Sequence, residues 1–162
     1  MRVARTGFGP RRSARRASEL GWQPFGTLAV AGVGGALDRD LRPGEIVVAT
    51  EVRRDGGDSP VVQCPSAPLL AGELRRAGLA ARTGPVVTTA RRASGPGRER
   101  LGEAGSLLVD MESAQLAAAA GSRPVVVLRA VSDGPDRPLL HPATVTGGLV
   151  ALRALRRAGP VL

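Results

Sequence analysis

A chain of 162 residues is long enough to bury a core as one domain. Its apolar share of 43% is ordinary for a globular fold, and an aromatic share of 2% excludes a stacking platform for single-stranded nucleic acid. The net charge of +9 rests on 23 basic residues, all of them Arg. Scattered pairs such as Arg11-Arg12, Arg15-Arg16 and Arg75-Arg76 suit solvated helix faces, so no nucleic-acid partner is expected. The replacement of every Lys by Arg, beside abundant Ala and Gly, reads as coding bias rather than selection for bidentate contacts.

One cysteine, Cys64, permits no internal disulfide and reads as a small buried hydrophobe. The one histidine, His141, reads as a loop or capping residue. One of each excludes a zinc site of the usual N/S type. No run approaches the roughly 18 apolar residues of a membrane span. The basic N-terminus lacks the apolar stretch of a secretory signal, so cytoplasmic residence is expected.

In chain order, Val3-Ala-Arg-Thr6 reads as a short strand, and Gly7-Phe-Gly-Pro10 as a tight turn. A basic helix follows over 11–20. Thr27-Leu-Ala-Val30 is an apolar strand that enters the glycine-rich run Ala31-Gly-Val-Gly-Gly-Ala36. Glu45-Ile-Val-Val-Ala-Thr-Glu51 is a strand, 54–60 a loop, and Val61-Val-Gln-Cys-Pro65 the end of another strand. Ser66 is a candidate N-cap for a helix that stops before Gly78. Gly84-Pro-Val-Val-Thr-Thr89 is a strand, and a loop over 91–97 leads to a short helix near Glu99.

Leu107-Leu-Val-Asp-Met-Glu112 and Pro124-Val-Val-Val-Leu-Arg-Ala-Val-Ser-Asp133 read as two neighbouring strands, each ending in a carboxylate. Residues 143–158 form a final helix. Alternating strands and helices, with uniformly apolar strands, indicate a mostly parallel sheet covered on both faces. One domain spans 1–162.

Open α/β sheets place ligands at strand carboxyl ends, where these two acids fall. Glu112 is suited to accept hydrogen bonds from two vicinal sugar hydroxyls and to stabilise positive charge on a sugar ring. Its other reading is a charge at a helix N-terminus. Asp133 ends a strand that is apolar apart from Arg129, and burial of that kind suits a general acid. Its other reading is a loop acid. The glycines after Val30 lack the following helix of a dinucleotide fingerprint. They serve either close approach of a ligand or backbone, or a structural turn. The Gly-Phe-Gly turn either offers amides to an anion or simply turns the chain.

The order of these motifs resembles the nucleoside phosphorylase/nucleosidase superfamily. Gly-Phe-Gly comes first, then a glycine-rich strand end with Leu-Arg-Pro-Gly-Glu-Ile-Val-Val, then Val-Asp-Met-Glu-Ser, then Val-Leu-Arg-Ala-Val-Ser-Asp. The chain is most similar to methylthioadenosine/adenosylhomocysteine nucleosidases and to hopanoid-associated phosphorylases. The stretch from Arg91-Arg-Ala-Ser94 through Gly102 is similar to the hopanoid-associated group in particular.

The resemblance implies a three-layer α/β fold and cleavage of the N-glycosidic bond of a purine nucleoside of adenosyl type. It implies hydrolysis or phosphorolysis, no metal or organic cofactor, phosphate as a candidate co-substrate, and a candidate homodimer. It assigns ribose binding to Glu112 with Met111 packed on the sugar, and base protonation to Asp133 with Ser132 beside it. It places Phe8 near the 5′ substituent, Gly32, Val33 and Gly34 along the sugar, and the loop after Thr88-Thr89 against the base. Two features depart from the family pattern. This chain starts at the Gly-Phe-Gly turn, so the acid of the family's earlier strand has no counterpart. Val33 stands where the nucleosidases carry Ser. A non-catalytic or vestigial nucleoside-binding paralogue of the same fold is the alternative reading, and a basic nucleic-acid-binding module, favoured by the charge of +9, is a further one.

Overall fold

The computed structural model describes residues 2–56, 61–135 and 142–162. His141 and the second half of the 54–60 loop lie outside the described residues. The elements run α1 (Pro10–Gly21), β1 (Leu28–Ala36), β2 (Ile46–Arg54), β3 (Val62–Gln63), α2 (Ala67–Arg76), β4 (Ala81–Thr88), α3 (Pro96–Glu103), β5 (Leu108–Asp110), α4 (Ser113–Ala118), β6 (Val125–Asp133) and α5 (Pro142–Ala158).

Strand residues point alternately to the two faces of a sheet, and here both faces are buried. Ile46 and Val48 cluster with Ala67, Ala71 and Leu74 of α2 and with Ala151, Ala154 and Ala158 of α5. Val47 and Ala49 cluster instead with Ala114, Leu116 and Ala117 of α4, against which Ala17 and Leu20 of α1 pack. The sheet therefore lies between helices, as the expected three-layer fold requires. A third cluster joins Leu101 of α3 to Val87 and Val109.

The strand order is β3-β2-β4-β5-β1-β6, and β2 also pairs with β6. Five strands thus close into a ring, with β3 hung on its outside. The two longest ladders, β1–β6 and β2–β4, are parallel, whereas β5 runs antiparallel to β1. The strands ending in the two acids are not neighbours, as the sequence had suggested. β1 lies between them, with Gly35 opposite both Val109 and Asp133. The pairing that inserts β1 joins residues more than seventy positions apart, and local pattern carries no trace of it.

Two local expectations also change. Residues 2–6 form no strand, and Val3 is exposed. Among the described residues no ladder receives that segment, and a stretch without a partner edge gains nothing from strand geometry. Ser66 stands before α2 in helical geometry and makes no side-chain cap bond. Gly78 does end this helix in the left-handed region, at φ +74°.

Two adjacent glycines of α5 have opposite surroundings. A Cβ at Gly147 would lie 2.2 Å from the Ser132 carbonyl oxygen, whereas one at Gly148 meets nothing within 4 Å. Gly147→Ala should therefore lower stability by about 1–3 kcal/mol, through backbone displacement. Gly148→Ala should raise it by up to about 1 kcal/mol, through helix propensity. Denaturant melts of the two variants check the opposite signs.

Candidate active site

The glycine-rich run is not a turn: all of it lies within β1. Its missing side chains admit protein groups. An added Cβ would stand 1.7 Å from Arg129 Nη1 at Gly32 and 2.4 Å from Leu108 Cδ2 at Gly34. At Gly35 it would stand 1.9 Å from Arg98 Nη2. Two arginine heads thus lie against one strand. Val33 packs toward the cluster that α2 and α5 cover.

The first arginine, Arg129 of β6, is buried with Asp110 at the end of β5. Its Nε lies 2.6 Å from Asp110 Oδ2 and donates to Ser113 Oγ at 2.9 Å. Asp110 also accepts from Thr88 Oγ1 at 2.7 Å and from the amides of Glu112 and Ser113 at 3.2–3.3 Å. Asp110 therefore caps the start of α4, which leaves the neighbouring Glu112 side chain available for other contacts. Arg129 Nη2 is buried with no hydrogen-bond partner among the described residues.

Glu112, half-buried at the N-cap position of α4, reaches across to the Gly-Phe-Gly turn. Its Oε1 accepts from the Gly9 amide at 2.8 Å. Gly9, the N-cap of α1, has φ +93°, a conformation that favours glycine. A second tie fixes α1 on α4: Gln115 Nε2 donates to Ser13 Oγ at 2.9 Å and to the Met111 carbonyl at 2.7 Å. Phe8 sits in the turn with its ring 79% exposed.

Asp133 ends β6 only 5% exposed. Its Oδ1 accepts from Ser132 Oγ at 2.6 Å, and its Oδ2 pairs with Arg98 Nη2. Ser132 Oγ also lies 3.0 Å from the Gly34 carbonyl. Arg98 Nη1 donates to the Gly134 carbonyl at 2.7 Å. The acid is not the solitary buried carboxyl that the apolar strand had suggested, because a guanidinium from α3 accompanies it.

A family model described as the phosphorylase superfamily matches residues 1–155. The chain belongs to the phosphorylase superfamily. Solved structures agree on the fold. It superposes with a TM-score of 0.82 on a methylthioadenosine/adenosylhomocysteine nucleosidase from Colwellia psychrerythraea in complex with adenine, at 21% identity over 97% of this chain and 74% of that one. The Helicobacter pylori nucleosidase bound to butyl-thio-DADMe-Immucillin-A gives 0.79, at 19% identity over 99% and 79% of the two chains. Futalosine hydrolase of the same organism gives 0.77, at 18% identity over 97% and 78%. No curated protein matches the chain.

Within this superfamily fold, the motifs read from the sequence fall on the two sides of β1. Met111 and Glu112 follow β5, Ser132 and Asp133 close β6, and Gly32 and Gly34 lie in the strand between. Sequence reasoning missed Arg98 and Arg129 as partners of the acids. Arg129 carried a signal, a lone charge in an apolar strand. Arg98, one of several arginines near a predicted loop, carried none. Among the described residues no three His, Cys, Asp or Glu side chains gather to hold a metal, and no helix is long and apolar enough to cross a membrane.

Cys64 follows β3 and is buried, which pushes its thiol up to about 11. Native protein at pH 7 should leave it unreacted with a thiol reagent, and unfolded protein should react at once; a colorimetric thiol titration reads both. The buried Asp110–Arg129 pair gives a larger effect. Asp110→Asn strands a guanidinium and should cost about 3–5 kcal/mol. The exposed Glu73–Arg76 pair should tolerate Glu73→Gln with almost no change in the denaturant midpoint.

Proposed function

We propose that this protein cleaves the N-glycosidic bond of a purine nucleoside of adenosyl type, with water or phosphate as nucleophile. The observation that carries this reading is the placement of Glu112 and Asp133 on opposite flanks of the glycine strand β1, in a phosphorylase-superfamily fold. Two similar structures, a nucleosidase in complex with adenine and one with butyl-thio-DADMe-Immucillin-A, support the substrate class.

In this reading Glu112 holds the ribose. One carboxylate oxygen is fixed by Gly9, and a carboxylate has about four acceptor sites, so hydroxyl hydrogens still find lone pairs. Its charge favours the cationic sugar of the transition state over the neutral ground state. Met111 packs on the sugar, and Phe8, on the turn bonded to Glu112, lies toward the 5′ substituent. Asp133 serves the leaving base, oriented by Ser132. The C1′–N9 bond breaks, its electron pair enters the purine, and N7 gains a proton through Asp133. The oxygen of water or phosphate bonds to C1′. With water or with hydrogen phosphate, the proton that the nucleophile loses on bonding to C1′ balances the one gained at N7. Arg129 Nη2, a buried donor without an acceptor among the described residues, suits an oxygen of that nucleophile.

One observation favours the binding-only alternative: both oxygens of Asp133 already carry protein partners. Each still has a second lone pair, so the two readings differ in turnover rather than in binding. Release of free adenine from methylthioadenosine or adenosine, with and without phosphate, is the deciding assay. Binding without release would establish the alternative.

Substitution separates the roles of the two acids. Asp133→Asn should slow adenine release by about 10²–10⁴ and should barely affect a riboside whose leaving group needs no proton. Glu112→Gln should slow both substrates by about 10²–10³, because the sugar charge is common to them. Equal losses for Asp133→Asn on both leaving groups would remove it from the acid role.

A further inference from the structure

We propose that Arg98 is a positioning residue for Asp133, and that Gly35 lacks a side chain in order to admit its guanidinium. This rests on the reading above, in which Asp133 faces the leaving base.

The geometry is that of a clamp. Arg98 lies in the first turn of α3, and its side chain is 6% exposed. One terminal nitrogen engages Asp133 Oδ2 and the other the carbonyl of the next residue, Gly134. A guanidinium fork that holds a carboxylate and the adjoining backbone fixes the strand end as well as the side chain. Ser132 holds the other carboxyl oxygen. The carboxyl plane is thereby tied on both oxygens, and only the remaining lone pairs face outward. An acid that must meet one nitrogen of a purine gains from this, because misplacement by about 1 Å can cost about 10²-fold in rate.

Gly35 is the other half of the device. It stands opposite Asp133 in the β1–β6 ladder, at a register shift. A Cβ there would lie 1.9 Å from Arg98 Nη2, 2.9 Å from Cζ and 3.2 Å from Asp133 Oδ2. Any side chain would therefore displace the guanidinium and crowd the carboxylate. Sequence reading left the glycine run to close approach of a ligand or backbone, or to a turn; the neighbours of Gly35 are the two members of the ion pair. Arg98 Nε is buried without a partner among the described residues, so there the side chain is held in place at the cost of an unpaired donor. A residue whose only task was to stabilise α3 would do so more cheaply as Leu or Met.

Two readouts test the proposal. The first needs no turnover. Arg98→Met and Asp133→Asn should each lower the melting temperature, and the double variant should lose clearly less than the sum of the two. Additive losses would show that the pair does not form, and would overturn the proposal.

The second compares adenosine with 4-nitrophenyl riboside, whose leaving group departs without a proton. Arg98→Met should lower kcat for adenosine by about 10²-fold with little change in KM, and should affect the nitrophenyl substrate far less. Arg98→Lys should recover part of the adenosine rate. Gly35→Ala, which leaves Arg98 in the sequence, should reproduce the same split. Equal losses on both substrates would mean that Arg98 only supports the fold, and would overturn the positioning role. If the unaltered protein released product from neither substrate, the functional reading would fall. The melting cycle would then decide alone whether Arg98 holds Asp133.

Discussion

Two arginine heads lie against one glycine strand, each holding an aspartate, and the arrangement of the site depends on that layout. A guanidinium buried without an anion costs several kcal/mol, and so does a carboxylate without a cation. Arg129 with Asp110 and Arg98 with Asp133 meet this constraint pairwise. Neither pair could form over an ordinary strand. A Cβ at Gly32 or at Gly35 would overlap a guanidinium nitrogen. The glycines thus set where charge can sit, and the charges set where the ends of β5 and β6 come to rest.

The two pairs have different consequences. Asp110 is consumed by structure: it takes a guanidinium, a threonine hydroxyl and two α4 amides. Because it caps α4, Glu112 two residues on is free to reach the amide of Gly9. That bond joins α4 to the entrance of α1 and places the Gly-Phe-Gly turn over the acid. Asp133 has fewer partners, and both grip it from its own end of the strand. One carboxylate organises the start of α4, and the other is held at the end of β6 by a serine and a guanidinium.

Much of this was legible in the sequence, and the failures have physical causes. The uniformly apolar strands announced a sheet covered on both faces, and α2 and α5 on one side with α1 and α4 on the other bear that out. Glycines at 32, 34 and 35 announced a close approach, though not what approaches. Closure of the sheet through β2 and β6, and the insertion of β1 between β5 and β6, depend on pairings distant in sequence. The segment Val3-Ala-Arg-Thr6 looked like a strand by composition, but a strand exists only where another edge receives it. Likewise, Asp133 looked solitary because its cation comes from a helix thirty-five residues earlier.

Composition misleads in a similar way about the arginines. A chain with 23 Arg and no Lys reads as an effect of coding bias, and the pairs along α1 and α2 stand largely in solvent, where a salt bridge is worth little. At positions 98 and 129 the demand is different. Arg98 spans a carboxylate and a backbone carbonyl at once with its two terminal nitrogens, whereas Arg129 meets its carboxylate and its hydroxyl through Nε while its head lies against Gly32. An ammonium is a point charge on a flexible stem and would have to choose between such acceptors, or draw them together. A bias that makes every cation an arginine therefore hides the two buried sites where a guanidinium is matched to an aspartate. Burial tells them apart: these are the two arginines among the described residues that the fold encloses, and each is matched to a glycine that makes room for it.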